Sequence, residues 1–174
     1  MTGKYDIEVY NNRVHYFLTV KRNITVIQGN SATGKTELIR LINDYIVNGN
    51  SSGITVKCDV KCRVLTSDDC EIRLSAMQNS VIFIDETAVF FKSQKFAEAV
   101  RGSDNYFVIV TRDALSQLPY SIDEIYGLKN VSDNAKYKSY TKVYNEMYKI
   151  YNLHSFKKFI PSKVITEDAK SGYE

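Results

Sequence analysis

The 174-residue sequence has no tryptophan, two prolines and three cysteines, and no apolar run approaches the roughly 18 residues of a membrane-spanning helix. No membrane partner is therefore expected. Three cysteines cannot build the disulfide framework of a small secreted domain, which points to reduced thiols. The opening MTGKYDIEVY lacks a charged-then-apolar leader, so a cytoplasmic location is the expectation. Cys58, Cys62 and Cys70 have no histidine near them, since His15 and His154 are distant in sequence. That set falls short of the four ligands of a zinc site, so no zinc is expected and core thiols are the default. No Ser/His/Asp or Cys/His catalytic set stands out.

What is present suits one globular α/β domain: 44% hydrophobic residues, 25% charged residues and a net charge of +3. These values exclude disorder, collagen and coiled coil as the main theme. The mild basicity permits an acidic partner without requiring one.

Residues 5–10 and 14–20 alternate apolar and polar, with Asn11, Asn12 and Arg13 as a turn, which predicts an antiparallel hairpin. Three short apolar runs, residues 24–28, 80–85 and 106–110, read as strands buried on both faces. Residues 36–47 place Leu38, Ile39, Ile42, Tyr45 and Ile46 on one helical face. Residues 54–58 and 62–66 read as short strands, with Asp68 and Asp69 as a turn. Residues 93–101 read as a helix closed by Gly102, residues 113–118 as a helical turn, and residues 122–128 as ending in a strand. Strands alternating with helices imply a mostly parallel sheet flanked by helices, preceded by the hairpin.

Gly29, Asn30, Ser31, Ala32, Thr33, Gly34, Lys35 and Thr36 match G-x-x-x-x-G-K-S/T without a mismatch, between a predicted strand and a predicted helix. Glycines let successive backbone N–H groups face phosphate oxygens, and the helix adds its positive end. Lys35 would reach the β- and γ-phosphates, and the Thr36 hydroxyl would hold Mg²⁺. The structural alternative is a Gly-Ser turn that happens to match. The run Val81-Ile82-Phe83-Ile84 delivers Asp85 and Glu86 at a strand end, where α/β sheets bind ligands. Asp85 would be the Walker B metal ligand, and Glu86 would orient the attacking water. Alternatively, the pair only caps the next helix. After the third apolar strand, Thr111 could contact the γ-phosphate or the water, and Arg112 could neutralise charge there. Equally, Arg112 could merely pair with Asp113 or Glu86 at the surface.

In this order the three elements resemble a P-loop NTPase of the subclass with an added catalytic Glu, closest to the ABC-type and OLD-like ATPases. The likeness covers about residues 5–130. Residues 108–129 are similar to the ABC stretch in which a strand ends in Thr-His-Asp, with Arg112 at the switch-histidine position. The Leu-Ser-Gly-Gly signature and helical insert of that family are missing, because only the 44 residues 37–80 separate the two phosphate motifs. Dimer-dependent hydrolysis is therefore not carried over. The pattern also resembles small ATPases of phage and mobile elements. The resemblance implies Mg²⁺-dependent ATP hydrolysis that switches a protein or nucleic-acid partner, with ATP and Mg²⁺ as cofactors. No Asn/Thr-Lys-x-Asp guanine motif appears, which favours ATP. A nucleotide or small-molecule kinase is the rival, but Arg101 and Arg112 are the only arginines after Arg73, too few for a lid. A non-hydrolytic ATP-binding module is the third reading. Tyr10 or Tyr16 is a candidate to stack on adenine.

The core is assigned to residues 1–128 and a Tyr/Lys-rich extension to residues 129–174, where nine lysines face five acidic residues. Tyr137, Tyr140, Tyr144, Tyr148 and Tyr151 recur at spacings of three and four. Strand is expected over 137–144 and helix over 145–152. The strip could stack on single-stranded nucleic acid, or pack on the sheet while its lysines stay wet. Pro161 marks a boundary near 162, and residues 163–167 are similar to the opening strand of a Toprim domain; an ordinary terminal strand or tail is the alternative.

Overall fold

The computed structural model describes residues 3–29, 33–66, 70–132 and 142–151. The expected turn at Asp68 and Asp69, Tyr137 and Tyr140 of the tyrosine strip, the boundary at Pro161 and the strand at 163–167 lie outside the described residues.

Strands β1 (Tyr5–Tyr10) and β2 (Val14–Val20) form the expected antiparallel hairpin, with Tyr10 opposite His15 and Tyr5 opposite Val20. The Asn11 side chain closes the turn by accepting from the Arg13 and Val14 amides at 2.8 and 2.9 Å. Alternation puts Ile7, Val9, Tyr16, Leu18 and Val20 in the core. Strand β3 (Ile24–Ile27) leads into helix α1 (Lys35–Asn48). There follow β4 (Thr55–Lys57), β5 (Lys61–Val64), α2 (Cys70–Ser75) and β6 (Ser80–Ile84). Helix α3 (Gln94–Arg101) is capped by the Ser93 hydroxyl, which accepts from the Phe96 amide at 3.1 Å. Strands β7 (Tyr106–Val110), β8 (Ile125–Asn130) and β9 (Val143–Lys149) complete the described chain.

The core lies on both faces of the central strands. On one side Leu38, Ile39, Leu41 and Ile42 of α1 pack with Ile27, Phe83, Val108 and Val110. On the other, Phe90, Phe91, Phe96 and Val100 pack with Val26, Ile82, Ile84 and Phe107. Every residue of β3, β6 and β7 is buried, which is why those strands read as unbroken apolar runs.

The expected mostly parallel sheet flanked by helices is overturned. The nine strands among the described residues form one mixed sheet in the order β4-β1-β2-β9-β8-β3-β7-β6-β5. The pairings β1–β2, β1–β4 and β8–β9 are antiparallel. Among the described residues helix is sparse: α1 has 14 residues, α3 has 8 and α2 has 6. Strand β9 is the cause of the difference. It lies parallel to β2 and antiparallel to β8, and so fuses the N-terminal hairpin to the inner strands. The helix expected over 145–152 is accordingly strand as far as Lys149, in keeping with its tyrosines and valine. Of the helical turn expected over 113–118, the structure has a single turn at 115–118, with the Leu118 amide on the Leu115 carbonyl at 3.0 Å.

The sheet must also curl. Eight strand spacings laid flat span about 38 Å. Yet β4 at one edge and β5 at the other are joined through residues 58–60, which extended could reach about 14 Å. The sheet therefore wraps towards a nearly closed, barrel-like form around α1, which contacts β1, β4 and β5. Among the described residues no helix is long and apolar enough to cross a membrane.

Candidate phosphate-binding site

Strands β3, β6 and β7 are parallel neighbours. Ile27 lies beside Val110 and Ile84 beside Ile109, so the turns that follow them open at one end of the sheet. Those turns carry Gly29, the pair Asp85 and Glu86, and the pair Thr111 and Arg112. Three segments far apart in sequence are thus delivered to one place by backbone pairing alone.

Gly34 starts α1 in a left-handed conformation, φ 82°. A Cβ there would also lie 2.7 Å from the Tyr16 hydroxyl oxygen, so glycine is required on two counts. Tyr16 is buried, and its hydroxyl donates to the Gly34 carbonyl at 2.9 Å. Its hydroxyl therefore buttresses the helix start, and the residue also lines the cavity described below. Tyr10 packs on His15 with ring centres 4.6 Å apart and does not line the cavity described below.

Lys35 is only 5% exposed. Its ammonium donates to the Gly29 carbonyl at 2.9 Å and to the Thr33 hydroxyl at 2.8 Å. Burial holds its pKa below the ordinary lysine value, the Glu86 carboxylate opposes that shift, and the Arg112 guanidinium adds to it. Lys35, Glu86 and Arg112 thus share one electrostatic environment. Arg112 Nε lies 3.3 Å from Glu86 Oε2, the ion pair that the plainer sequence reading allowed. Thr111 is buried, its amide donates to the Ile27 carbonyl at 3.2 Å, and its hydroxyl accepts from the Asp113 amide at 3.0 Å.

Asp85 is half-buried, with Oδ1 accepting from the Thr87 amide at 3.4 Å. Thr36 is exposed in the first turn of α1. Both are oxygen donors of the kind that magnesium takes. Among the described residues there is no group of three or more His, Cys, Asp or Glu able to hold a metal ion. A magnesium ion held by Thr36 and Asp85 would thus draw its remaining ligands from water and phosphate oxygens. Asn30, Ser31 and Ala32 lie outside the described residues.

A cavity of about 710 Å³ adjoins Thr33 and Gly34. Its walls come from the hairpin turn (Asn11, Arg13), the first turns of α1 (Glu37) and the facing strands (Asn130, Asn145). Arg40 braces the α1 wall through Glu37 at 2.7 Å and Asp44. That contact holds the Glu37 carboxyl below its usual range. Sequence reasoning missed the asparagines, because Asn145 faces this cavity only once β9 lies between β2 and β8. The Glu37-Arg40-Asp44 spacing is that of a helical ion network, which the sequence reading did not single out either.

No family model matches the chain, and no curated protein matches it.

Proposed function

We propose that the chain binds Mg²⁺·ATP at this site and hydrolyses the β–γ bond, with nucleotide state switching a protein or nucleic-acid partner. The observation that carries the reading is the Lys35 ammonium, sequestered at the start of α1 on the Gly29 carbonyl and the Thr33 hydroxyl beside Glu86. A buried cation next to a helix N-terminus is a site prepared for a polyanion. Lys35 exchanges the Gly29 carbonyl and the Thr33 hydroxyl for phosphate oxygens. Glu86 leaves Arg112 and orients a water for in-line attack, and Arg112 turns to the phosphate charge. Thr36 and Asp85 would hold a magnesium ion, which would supply charge neutralisation at the phosphates. The 710 Å³ cavity has the size to take base and ribose, with asparagine amides for polar contacts. We assign the enzyme to the cytoplasm, where ATP is supplied and thiols stay reduced.

The Glu86–Arg112 ion pair favours one alternative, a binding module whose water-orienting carboxylate stays tied up. Glu86→Gln separates the two. Hydrolysis predicts that it binds ATP as the parent does and lowers turnover by about 10²–10³-fold. ATP binding without turnover in the parent protein, with Glu86→Gln changing nothing, supports the module instead.

A further inference from the structure

Cys58 and Cys62 belong to neither the phosphate site nor its cavity. Cys58 directly follows β4, one edge of the sheet, and Cys62 lies in β5, the other edge. Both are free thiols, both are half-buried, and both line a second cavity of about 530 Å³ with Tyr45, Val56 and Lys61. The two thiols lie near enough to act on each other, with Cys62 as the donor side and Cys58 as the acceptor side.

We propose that Cys58 and Cys62 are a reactive dithiol that exchanges with small-molecule disulfides and closes to an intramolecular disulfide, stitching one sheet edge to the other. The pair is asymmetric, which assigns the roles. Cys62 donation and backbone N–H groups of Val60 and Asp59 pull the Cys58 thiol from its ordinary 9 down to about 7, against burial and the Asp59 charge. Cys62 is pushed up by its bond to Cys58 and by burial, so it stays protonated. Cys58 is the attacking sulfur and Cys62 the resolving one. The Cys58 thiolate attacks one sulfur of the disulfide RSSR, the S–S bond breaks, and RS⁻ leaves with the Cys58 proton as RSH. Cys62 then loses its proton and attacks the Cys58 sulfur, releasing the second RSH. Two protein thiols are oxidised by two electrons, and one disulfide is reduced to two thiols. The proposal stands apart from the nucleotide reading.

The test treats the full chain at pH 7 with oxidised glutathione, quenches it with acid and reads peptides by mass spectrometry. The expected result is a Cys58–Cys62 cross-link in the parent protein. In Cys62→Ser, which keeps a donor, glutathione should accumulate on Cys58, at a rate about six-fold above that of an unperturbed peptide thiol. That figure sets the gain in thiolate fraction against the loss of nucleophilicity. In Cys58→Ser, glutathionylation of Cys62 should be slower than that of Cys58 by about ten-fold or more. Glutathione persisting on Cys58 of the parent without cross-linking overturns the proposal, as do equal rates at the two sulfurs in the single variants. Phenylarsine oxide gives a reading that needs no variant: one equivalent should bridge Cys58 and Cys62, and failure to bridge them also overturns the proposal.

Discussion

Replacing Lys35 by methionine should move stability and nucleotide binding in opposite directions. Lys35 is 5% exposed, and burial is the largest influence on its ammonium, so the charged form is less comfortable in the folded chain than in water. Methionine keeps the length of the side chain and removes the charge. Without nucleotide, Lys35→Met should therefore melt at or above the parent temperature at pH 7. Because the folded pKa lies below the ordinary 10.5, the unfolded chain binds the proton more tightly between the two values. The Lys35 contribution to parent stability hence rises with pH across that window, and the advantage of the variant shrinks as pH approaches 10.5. Binding should go the other way. Two charge-assisted hydrogen bonds to phosphate are worth about 1.5–3 kcal/mol each, and the low end applies because the ammonium already bonds the Gly29 carbonyl and the Thr33 hydroxyl. A loss near 3 kcal/mol corresponds to about 150-fold weaker Mg²⁺·ATP binding, readable by titration calorimetry. A folded variant that binds within about threefold of the parent would refute the assignment of Lys35.

Three further outcomes test the neighbourhood of the site and the core. Arg112→Ala should cost no more than about 1 kcal/mol in a chemical melt, because its pair with Glu86 is largely exposed on the arginine side, while turnover falls about 10–100-fold. Equal losses in turnover and stability would show that Arg112 acts only as a surface ion pair. Tyr16→Phe should lower stability by about 1 kcal/mol, or about 2–4 °C, by deleting the bond to the Gly34 carbonyl; an unchanged melting temperature would count against the buttress. Glu124 is buried, and burial holds its carboxyl above the usual 4.5 despite Arg22 at 3.6 Å. The folded chain then binds that proton more tightly, so parent stability falls as pH rises through the raised value. Glu124→Gln should melt higher at pH 7, and the gain should vanish below about pH 4.5; a gain independent of pH would contradict the assigned cause.

The local order of this protein is written in short-range chemistry. The apolar strands, the hairpin turn at Asn11, the α1 face and the Ser93 cap follow from burial period and capping groups that act over a few residues. The motif residues Gly29, Lys35, Asp85, Glu86, Thr111 and Arg112 were legible for the same reason: the residue types and the strand ends that carry them lie side by side in the chain. The sequence left open whether Arg112 pairs with Asp113 or Glu86 or faces phosphate, because that depends on side-chain geometry after β7. Strand pairing is a different matter. Nothing within residues 143–149 says that they insert between β2 and β8, because the partners lie more than a hundred residues away in one case. That insertion makes the sheet mixed, turns Asn145 towards a cavity beside Gly34, and converts an expected helix into strand. The curl that brings Cys58 and Cys62 together arises likewise, from a short link between two distant edges. Sequence alone determined the elements and the chemistry at their ends; which edges meet was decided by tertiary burial, since one strand can pair at many edges and only the assembled core selects among them.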